Sequence, residues 1–331
     1  MIRVGILGCA SIARRSLAPA FADHAAFDLV GVASRTVERA QEFIGGLRAA
    51  VTPAVYTYDA LVDSPDVDLV YCPLPTGLHY EWVKRALLAG KHVLCEKSLA
   101  CSLGEVEDLV KTARDHGRFL MESFQFRFHP QNLFVRKLLS ERAIGELRNI
   151  VIRFGIPPFP EGVENIRYSR NLGGGALLDN GAYTIKAATY LLGHDIRVLS
   201  AMRGCGKIVG VDSYRNLDVD VVGSIMMSTG EVSIQTSYGF DHFYQNGYEI
   251  WGSEGKISTL RAFTARADYA APVIVETKAG RDVQTFRADH FAALLDYVSS
   301  CVAENDFTGE YEESLVQARL LSRVFEIGSV S

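Results

Sequence analysis

Residues 3–13 read Arg3-Val4-Gly5-Ile6-Leu7-Gly8-Cys9-Ala10-Ser11-Ile12-Ala13. The apolar run at 3–7 predicts a buried strand, and the turn after it has the spacing of a dinucleotide-binding fingerprint. Only the first glycine of that fingerprint is kept, with alanine at the other two places. Gly8 permits the tight turn, Ala10 lets the backbone approach a pyrophosphate, and Ala13 allows helix and strand to pack closely. Cys9, Ser11 and Ile12 complete the loop. Small residues also occur at strand–helix turns for packing alone, so the turn needs support from the chain around it.

That support is the alternation of short apolar runs with helical patterns from 2 to 124. Runs at 3–7, 29–34, 54–56, 69–74, 92–95 and 119–123 suit parallel strands buried on both faces. Helices are expected at 11–23, 36–48, 78–89 and 103–116. Ser102 and Glu105 form a capping box for the last of these. Gly90 and Gly117 stand where a helix end calls for a left-handed residue. The sum predicts a doubly wound α/β sheet, a Rossmann domain over 1–124.

Beyond 124 the texture changes. Strands are expected at 150–154, 218–227, 232–240, 248–251 and 256–260, with turns at 228–231 and 252–255 short enough for hairpins. Helices are expected at 175–192, 287–302 and 312–327. This predicts a second, α+β domain over 125–331, built on a mainly antiparallel open sheet.

Composition narrows the class. The 331 residues are 48% hydrophobic and 22% charged, which suits a soluble globular protein of about two domains. A net charge of −5 and the lack of a dense Lys/Arg run argue against nucleic acid or an anionic membrane as partner. Cys9, Cys72, Cys95, Cys101, Cys205 and Cys301 form no C-x-x-C pair, so reduced thiols are expected and neither a disulfide nor a metal site. The chain enters a strand from Met1 without a signal-type segment, and no apolar run approaches bilayer length. The expected location is the cytoplasm. There is no H-E-x-x-H and no G-x-S-x-G.

The second strand ends at Ser34-Arg35, where an acidic residue would bind a ribose 2′-hydroxyl and repel a 2′-phosphate. None is present. Ser34 offers a hydroxyl, Arg35 a planar donor fork, and Arg39 stands one helical turn further on. The set suits the 2′-phosphate of NADP(H) in preference to NAD(H); the alternative is a solvated arginine pair. After the fourth strand, Leu74, Pro75 and Thr76 are expected to form a wall beside the nicotinamide ribose. His79 either hydrogen-bonds there or serves the start of its helix. The fifth strand ends at Glu96-Lys97, on the side of an open α/β sheet where ligands bind.

Three segments together resemble the Gfo/Idh/MocA oxidoreductases: 5–9, 89–97 and 173–183, the last reading Gly173-Gly174-Gly175-Ala176-Leu177-Leu178-Asp179-Asn180-Gly181-Ala182-Tyr183. The resemblance spans nearly the whole chain. Segments 156–158, 166–168 and 241–246 look most like the nucleotide-sugar 3-ketoreductases of deoxysugar biosynthesis, with the dihydrodiol and xylose dehydrogenases next. The resemblance implies that Lys97 and Tyr183 face the nicotinamide and the substrate. It also implies that Glu96 and Arg127 lie beside the cofactor, with Arg167 and Asp179 in the site wall. A homodimer or homotetramer through the C-terminal sheet is implied as well. Two residues depart from the usual pattern. Ser98 stands where proline would fix the backbone after Lys97, and Tyr183 stands where many relatives have histidine.

These residues suit carbonyl reduction. A nascent alkoxide needs a proton, and a phenol of pKa ~10 is a poor donor at neutral pH unless a nearby ammonium lowers it. Lys97 is expected to do this for Tyr183 and to stabilise charge on the carbonyl oxygen. Asp179, four residues before Tyr183, is expected on the same helix face, orienting the site or holding a sugar hydroxyl. Tyr244 is a further candidate substrate contact. The alternatives are a solvated Lys97, a core Tyr183 bonded to backbone, and a structural Asp179. The expected activity is NADP(H)-dependent hydride transfer to or from a sugar, most simply reduction of a keto-sugar. An aldose or dihydrodiol dehydrogenase is the alternative enzyme, and a non-catalytic NADP-binding sensor the alternative of another class.

Overall fold

The structure, a computed structural model, describes residues 1–47, 52–159, 165–205 and 217–330. Residue 48, the last of the second expected helix, lies outside the described residues. The chain divides into two compact units, Met1–Ser123 with Phe291–Leu315, and Phe124–His290 with Val316–Ser331. Residues 291–315, placed by sequence with the second domain, thus pack into the first. There Tyr311 donates to the Arg118 carbonyl at 2.6 Å, and Phe307 sets its ring edge-on to His92 and Phe119.

In the first unit six strands run parallel: β1 (Ile2–Leu7), β2 (Phe27–Ala33), β3 (Ala54–Tyr56), β4 (Leu69–Cys72), β5 (His92–Glu96) and β6 (Leu120–Ser123). Their order is β3-β2-β1-β4-β5-β6, so the winding reverses between β1 and β4. Strands covered on both faces need apolar side chains throughout. Leu69, Val70, Tyr71 and Cys72 of β4 are accordingly all buried.

The helices follow their sequence signals with one break. Ser102 Oγ accepts the Glu105 N–H while the Glu105 carboxylate accepts the Ser102 N–H, closing the capping box. The helix expected over 11–23 is instead a wider π-helical turn, Ala13–Leu17, leading into α1 (Ala18–Asp23). Pro19 has no N–H to give, and a π turn is one way to absorb the missing bond. After α2 (Val37–Gly45), a short helix unforeseen from sequence, α3 (Tyr58–Asp63), starts at the Thr57 cap. Then come α4 (Thr76–Leu88) and α5 (Leu103–Asp115).

The second unit holds, among the described residues, a nine-stranded sheet. Its strands are β7 (Leu147–Gly155), β8 (Arg197–Cys205), β9 (Asp220–Thr229), β10 (Val232–Gly239), β11 (Gln245–Gly252), β12 (Gly255–Thr259), β13 (Ala271–Thr277), β14 (Gly280–Phe286) and β15 (Ser329–Val330). Neighbours are antiparallel except β7 with β10 and β8 with β15. Both expected hairpins form, at Thr229/Val232 and Gly252/Gly255. Ile150, Ile152, Ile225, Met227, Ile234 and Ile250 share the buried face.

The helix expected over 175–192 is again two pieces, a π turn Leu177–Gly181 and a helix Ala182–Leu192. A further helix, Pro130–Ser140, is capped by His129 Nδ1, which accepts the Gln131 N–H.

Candidate active site

The first unit builds a dinucleotide cradle at the carboxyl end of β1. Gly8 has φ of +121°, and a Cβ there would lie 2.7 Å from Leu74 Cδ2, so only glycine makes this turn against the β4 exit. Its N–H donates to the Ala33 carbonyl at 2.9 Å, which ties the loop to the end of β2. Ala13 is wholly buried, and the Ala10 carbonyl accepts the Arg14 N–H at 3.1 Å as the chain turns helical. Cys9, Ser11 and Ile12 lie on the same turn, as the fingerprint requires.

At the neighbouring strand end Ser34 is buried, whereas Arg35 and Arg39 are exposed around the first turn of α2. Thr36 caps that helix by accepting the Arg39 N–H. Burial pushes the Cys9 thiol up, while a hydrogen bond to Ser34 and the charges of Arg39 and Arg14 pull it down. Cys9 thus lies near enough to Ser34, Arg39 and Arg14 to feel all three. A helix N-terminus, a hydroxyl and two exposed guanidinium groups fit a phosphate beside Ser34. The residues present therefore fit a 2′-phosphorylated dinucleotide.

Across the switch point, Leu74, Pro75 and Thr76 carry the chain from β4 into α4, with the Pro75 carbonyl accepting the Leu78 N–H at 2.8 Å. His79 does not join them as a cofactor ligand. Its ring is fully buried, with Nε2 2.7 Å from the Leu74 carbonyl oxygen and Nδ1 2.7 Å from the Ser98 carbonyl oxygen. Both ring nitrogens face backbone carbonyls, and the neutral ring donates to one of them, so neither is turned to a cofactor, against the cofactor-side role that the sequence offered for it. Burial lowers its pKa against the pull of those two carbonyls. Ligand atoms of Cys72, His79 and Cys95 do lie within 4.8 Å of one another. The histidine, however, presents neither ring nitrogen to an ion.

Glu96 ends β5 and Lys97 follows it. The Tyr71 hydroxyl donates to Glu96 Oε1 at 2.8 Å, and the Leu99 N–H donates to Glu122 Oε1 at 3.0 Å. The Lys97–Ser98 peptide is cis.

In the second unit Tyr183 is buried, its ring set against Phe124, Phe126, Phe154 and Phe263. Its hydroxyl lies 3.3 Å from Gln125 Nε2 and 3.4 Å from Gln125 Oε1. Gln125 escaped the sequence reading because a lone glutamine after a strand carries no signal. Asp179 accepts a hydrogen bond from Arg167 Nε, and this pairing raises the Arg167 pKa, with a smaller contribution from Tyr183. Arg167 also lies over the Phe159 ring at 5.0 Å. Arg167, Asp179 and Tyr183 thus form one charged and phenolic cluster.

Two further side chains fix the segment bearing this cluster. Asn180 Nδ2 donates to the carbonyls of Phe154 and Gly239, spanning β7 and β10. Asp220 Oδ2 accepts the Leu177 N–H at 2.7 Å. The glycines before it serve close approach, since a Cβ at Gly174 would lie 2.5 Å from the Arg167 carbonyl oxygen. Arg127 is buried with its guanidinium over Phe128, and its carbonyl accepts the Tyr190 hydroxyl. Tyr244 accepts from Asn246 Nδ2 at 3.0 Å and lies under the Arg261 guanidinium at 4.1 Å.

Family comparison agrees with both halves. Residues 2–124 match the oxidoreductase family with an NAD-binding Rossmann fold, and residues 133–258 match the GFO/IDH/MocA C-terminal domain. The chain belongs to the Gfo/Idh/MocA oxidoreductase family. It is 40% identical over 329 residues to a dTDP-3,4-didehydro-2,6-dideoxy-alpha-D-glucose 3-reductase of Actinomadura kijaniata, covering 98% of this chain and 94% of that protein. The 3-ketoreductase KijD10 of the same organism, solved with NADP and TDP-benzene, superposes with a TM-score of 0.91 at 38% identity, over 99% of this chain and 98% of that one. The D-xylose 1-dehydrogenase (NADP(+)) 2 of Haloferax volcanii is 29% identical over 97% of this chain and 96% of that protein. Among the described residues no helix is long and apolar enough to cross a membrane.

Proposed function

We propose that this oxidoreductase reduces the 3-keto group of a nucleotide-linked deoxysugar with NADPH. The observation that carries the reading is Tyr183, a buried phenol with its hydroxyl held at Gln125 and the Arg167–Asp179 pair close by. A non-catalytic sensor has no use for a proton donor so held. Support for the substrate class comes from the Actinomadura reductase, similar over nearly the whole of both chains.

The cofactor would be held by the turn from Gly8 to Ala13, by Ser34, Arg35 and Arg39 around the 2′-phosphate, and by the wall at Leu74, Pro75 and Thr76. Glu96 and Arg127 would flank it. Bound NADPH supplies the hydride. As negative charge develops on the carbonyl oxygen, the Lys97 ammonium stabilises it, where a fixed charge in a low-dielectric site is worth far more than in water. Tyr183 gives its hydroxyl proton to that oxygen, leaving a phenolate that regains a proton from solvent. Gln125 can donate to the phenolate through Nε2, so it holds the tyrosine in both states. Asp179, its charge balanced by Arg167, accepts a hydrogen bond from a sugar hydroxyl, and Tyr244 adds a wall further along the sheet.

The test is NADPH consumption across a panel of dTDP-3,4-didehydro-2,6-dideoxyglucose and free keto-sugars, with D-xylose and NADP+ run in the oxidative direction. Turnover confined to the nucleotide-linked ketone is the expected result. Faster oxidation of D-xylose would move the chain to the aldose dehydrogenases, a reading that the Haloferax relative favours. Tight NADPH binding without turnover on any member would leave a sensor.

The same reading includes a cytoplasmic enzyme, consistent with six unpaired thiols. It also includes self-association through the open sheet. Residues opposite the buried face of that sheet include the exposed Met202, Met226 and Trp251.

A further inference from the structure

We propose that His79 is the positioning residue for Lys97, the restraint that aims its ammonium from a backbone that lacks a proline. The inference rests on the reading of Lys97 as the group that stabilises the carbonyl oxygen.

Lys97 stands on a short loop whose neighbouring residues are held by side chains from three other elements. Before it, Tyr71 of β4 donates to the Glu96 carboxylate at 2.8 Å. Immediately after it, the Ser98 carbonyl oxygen lies 2.7 Å from His79 Nδ1 of α4. One residue further, the Leu99 N–H donates to Glu122 of β6 at 3.0 Å. Tyr71 and Glu122 each hold the loop from one side. His79 does more, because its second nitrogen lies 2.7 Å from the Leu74 carbonyl oxygen at the exit of β4. The neutral imidazole has one N–H to give, so it donates to one of these carbonyls and packs against the other, a rigid spacer between the wall of the cofactor cradle and the residue that follows Lys97.

The restraint is dry. His79 has no exposed surface and Ser98 only 1%, so water does not compete for either carbonyl. It is also needed, since serine leaves φ at 98 free where proline would lock it. A charge that drifts by an ångström from its reacting atom can cost about 10²-fold in rate.

The experiment compares His79→Leu and His79→Gln with the native enzyme and with Lys97→Ala. It reads NADPH affinity by fluorescence, kcat and KM for the keto-sugar, and the primary isotope effect with 4-deuterated NADPH. Leucine keeps bulk without a donor, whereas the glutamine amide keeps one. Expected for His79→Leu is a kcat lowered about 10- to 100-fold, with KM and NADPH affinity within about threefold, and an isotope effect raised toward its intrinsic value. His79→Gln should fall between it and the native enzyme. Where His79→Leu does not fold, His79→Gln decides: a kcat lowered threefold or more with a raised isotope effect supports the proposal, and native values overturn it. Folded His79→Leu with native kcat overturns it as well. So does a loss confined to NADPH affinity, because His79 would then serve the cofactor. Lys97→Ala separates the two claims. If it keeps native turnover, the role given to Lys97 fails, and positioning with it. If it is inactive while both His79 variants are native, only the positioning fails.

Discussion

Arg167 Nε donates a hydrogen bond to Asp179 Oδ2, so the two charged residues of the second unit's cluster neutralise each other. The carboxylate is the more buried partner, with 15% of its side chain exposed against 37% for the arginine. Removing the arginine therefore leaves a largely buried anion without its counter-charge, one helical turn from Tyr183. Arg167→Leu is expected to lower stability by about 1–3 kcal/mol, the usual worth of a hydrogen bond to a charged group. It should also lower kcat/KM for the sugar at least tenfold. Arg167→Lys keeps charge but not the guanidinium geometry, and should recover stability better than activity. Thermal melts and steady-state kinetics on both variants check this. Equal kinetics for Arg167→Leu and the native enzyme would remove the pair from the site.

Tyr183→Phe should remove the proton donor while leaving the ring contacts to Phe124 and Phe154 intact. General acid catalysis is worth about 10²–10⁴-fold, so kcat should fall by at least the lower figure while NADPH affinity stays within about twofold. Gln125→Leu should cost less, about tenfold, because solvent or the sugar can take over part of its hold on the hydroxyl. If Tyr183→Phe retained native turnover, the donor would be another group.

The cofactor choice rests on Ser34, Arg35 and Arg39. Replacing Arg35 with Asp puts an acid at the strand end that ordinarily selects against a 2′-phosphate. NADPH affinity should fall about 10- to 100-fold, with NADH affinity held or improved. Titration of both cofactors checks it, and an unchanged preference would make the arginines ordinary surface charges.

The elements that the sequence displayed well are those buried on a regular pattern. The strands of the first sheet read as near-continuous apolar runs, and Ser102 with Glu105 marks its helix start by residue type alone. Strand β14 was illegible because Arg281, Asp282 and Gln284 lie on an exposed edge with no buried face to impose alternation. Pro272 hid β13, since proline argues against a strand unless its missing N–H faces outward. Among the candidate site residues, Lys97, Asp179 and Tyr183 stood out through their motifs. Gln125 and Asp220 did not, because their roles come from side-chain bonds to residues 58 and 43 positions away. His79 was noticed with a cofactor-side role and a helix-start role both open, and only the fold reveals that both nitrogens face backbone carbonyls.

Asp220 gives a pH-dependent prediction. It is 5% exposed, and burial raises its pKa to about 6, against the smaller opposing pull of the Leu177 N–H and the Arg203 charge. The unfolded value is the ordinary 3.8. Between these values the folded state binds more protons than the unfolded one, so stability falls as pH rises from about 4 to about 6. Above that window the full cost of the buried charge persists, about 3 kcal/mol for a shift of about two units. Asp220→Asn keeps an oxygen to accept the Leu177 N–H and removes the charge. It should match the native protein at pH 4 and exceed its stability by about 1–3 kcal/mol at pH 8. Urea unfolding at both pH values measures the difference directly. A stability gap that is the same at pH 4 and pH 8 would mean that the carboxyl does not titrate in this window, and the bond to Leu177 would then be all that Asp220 contributes.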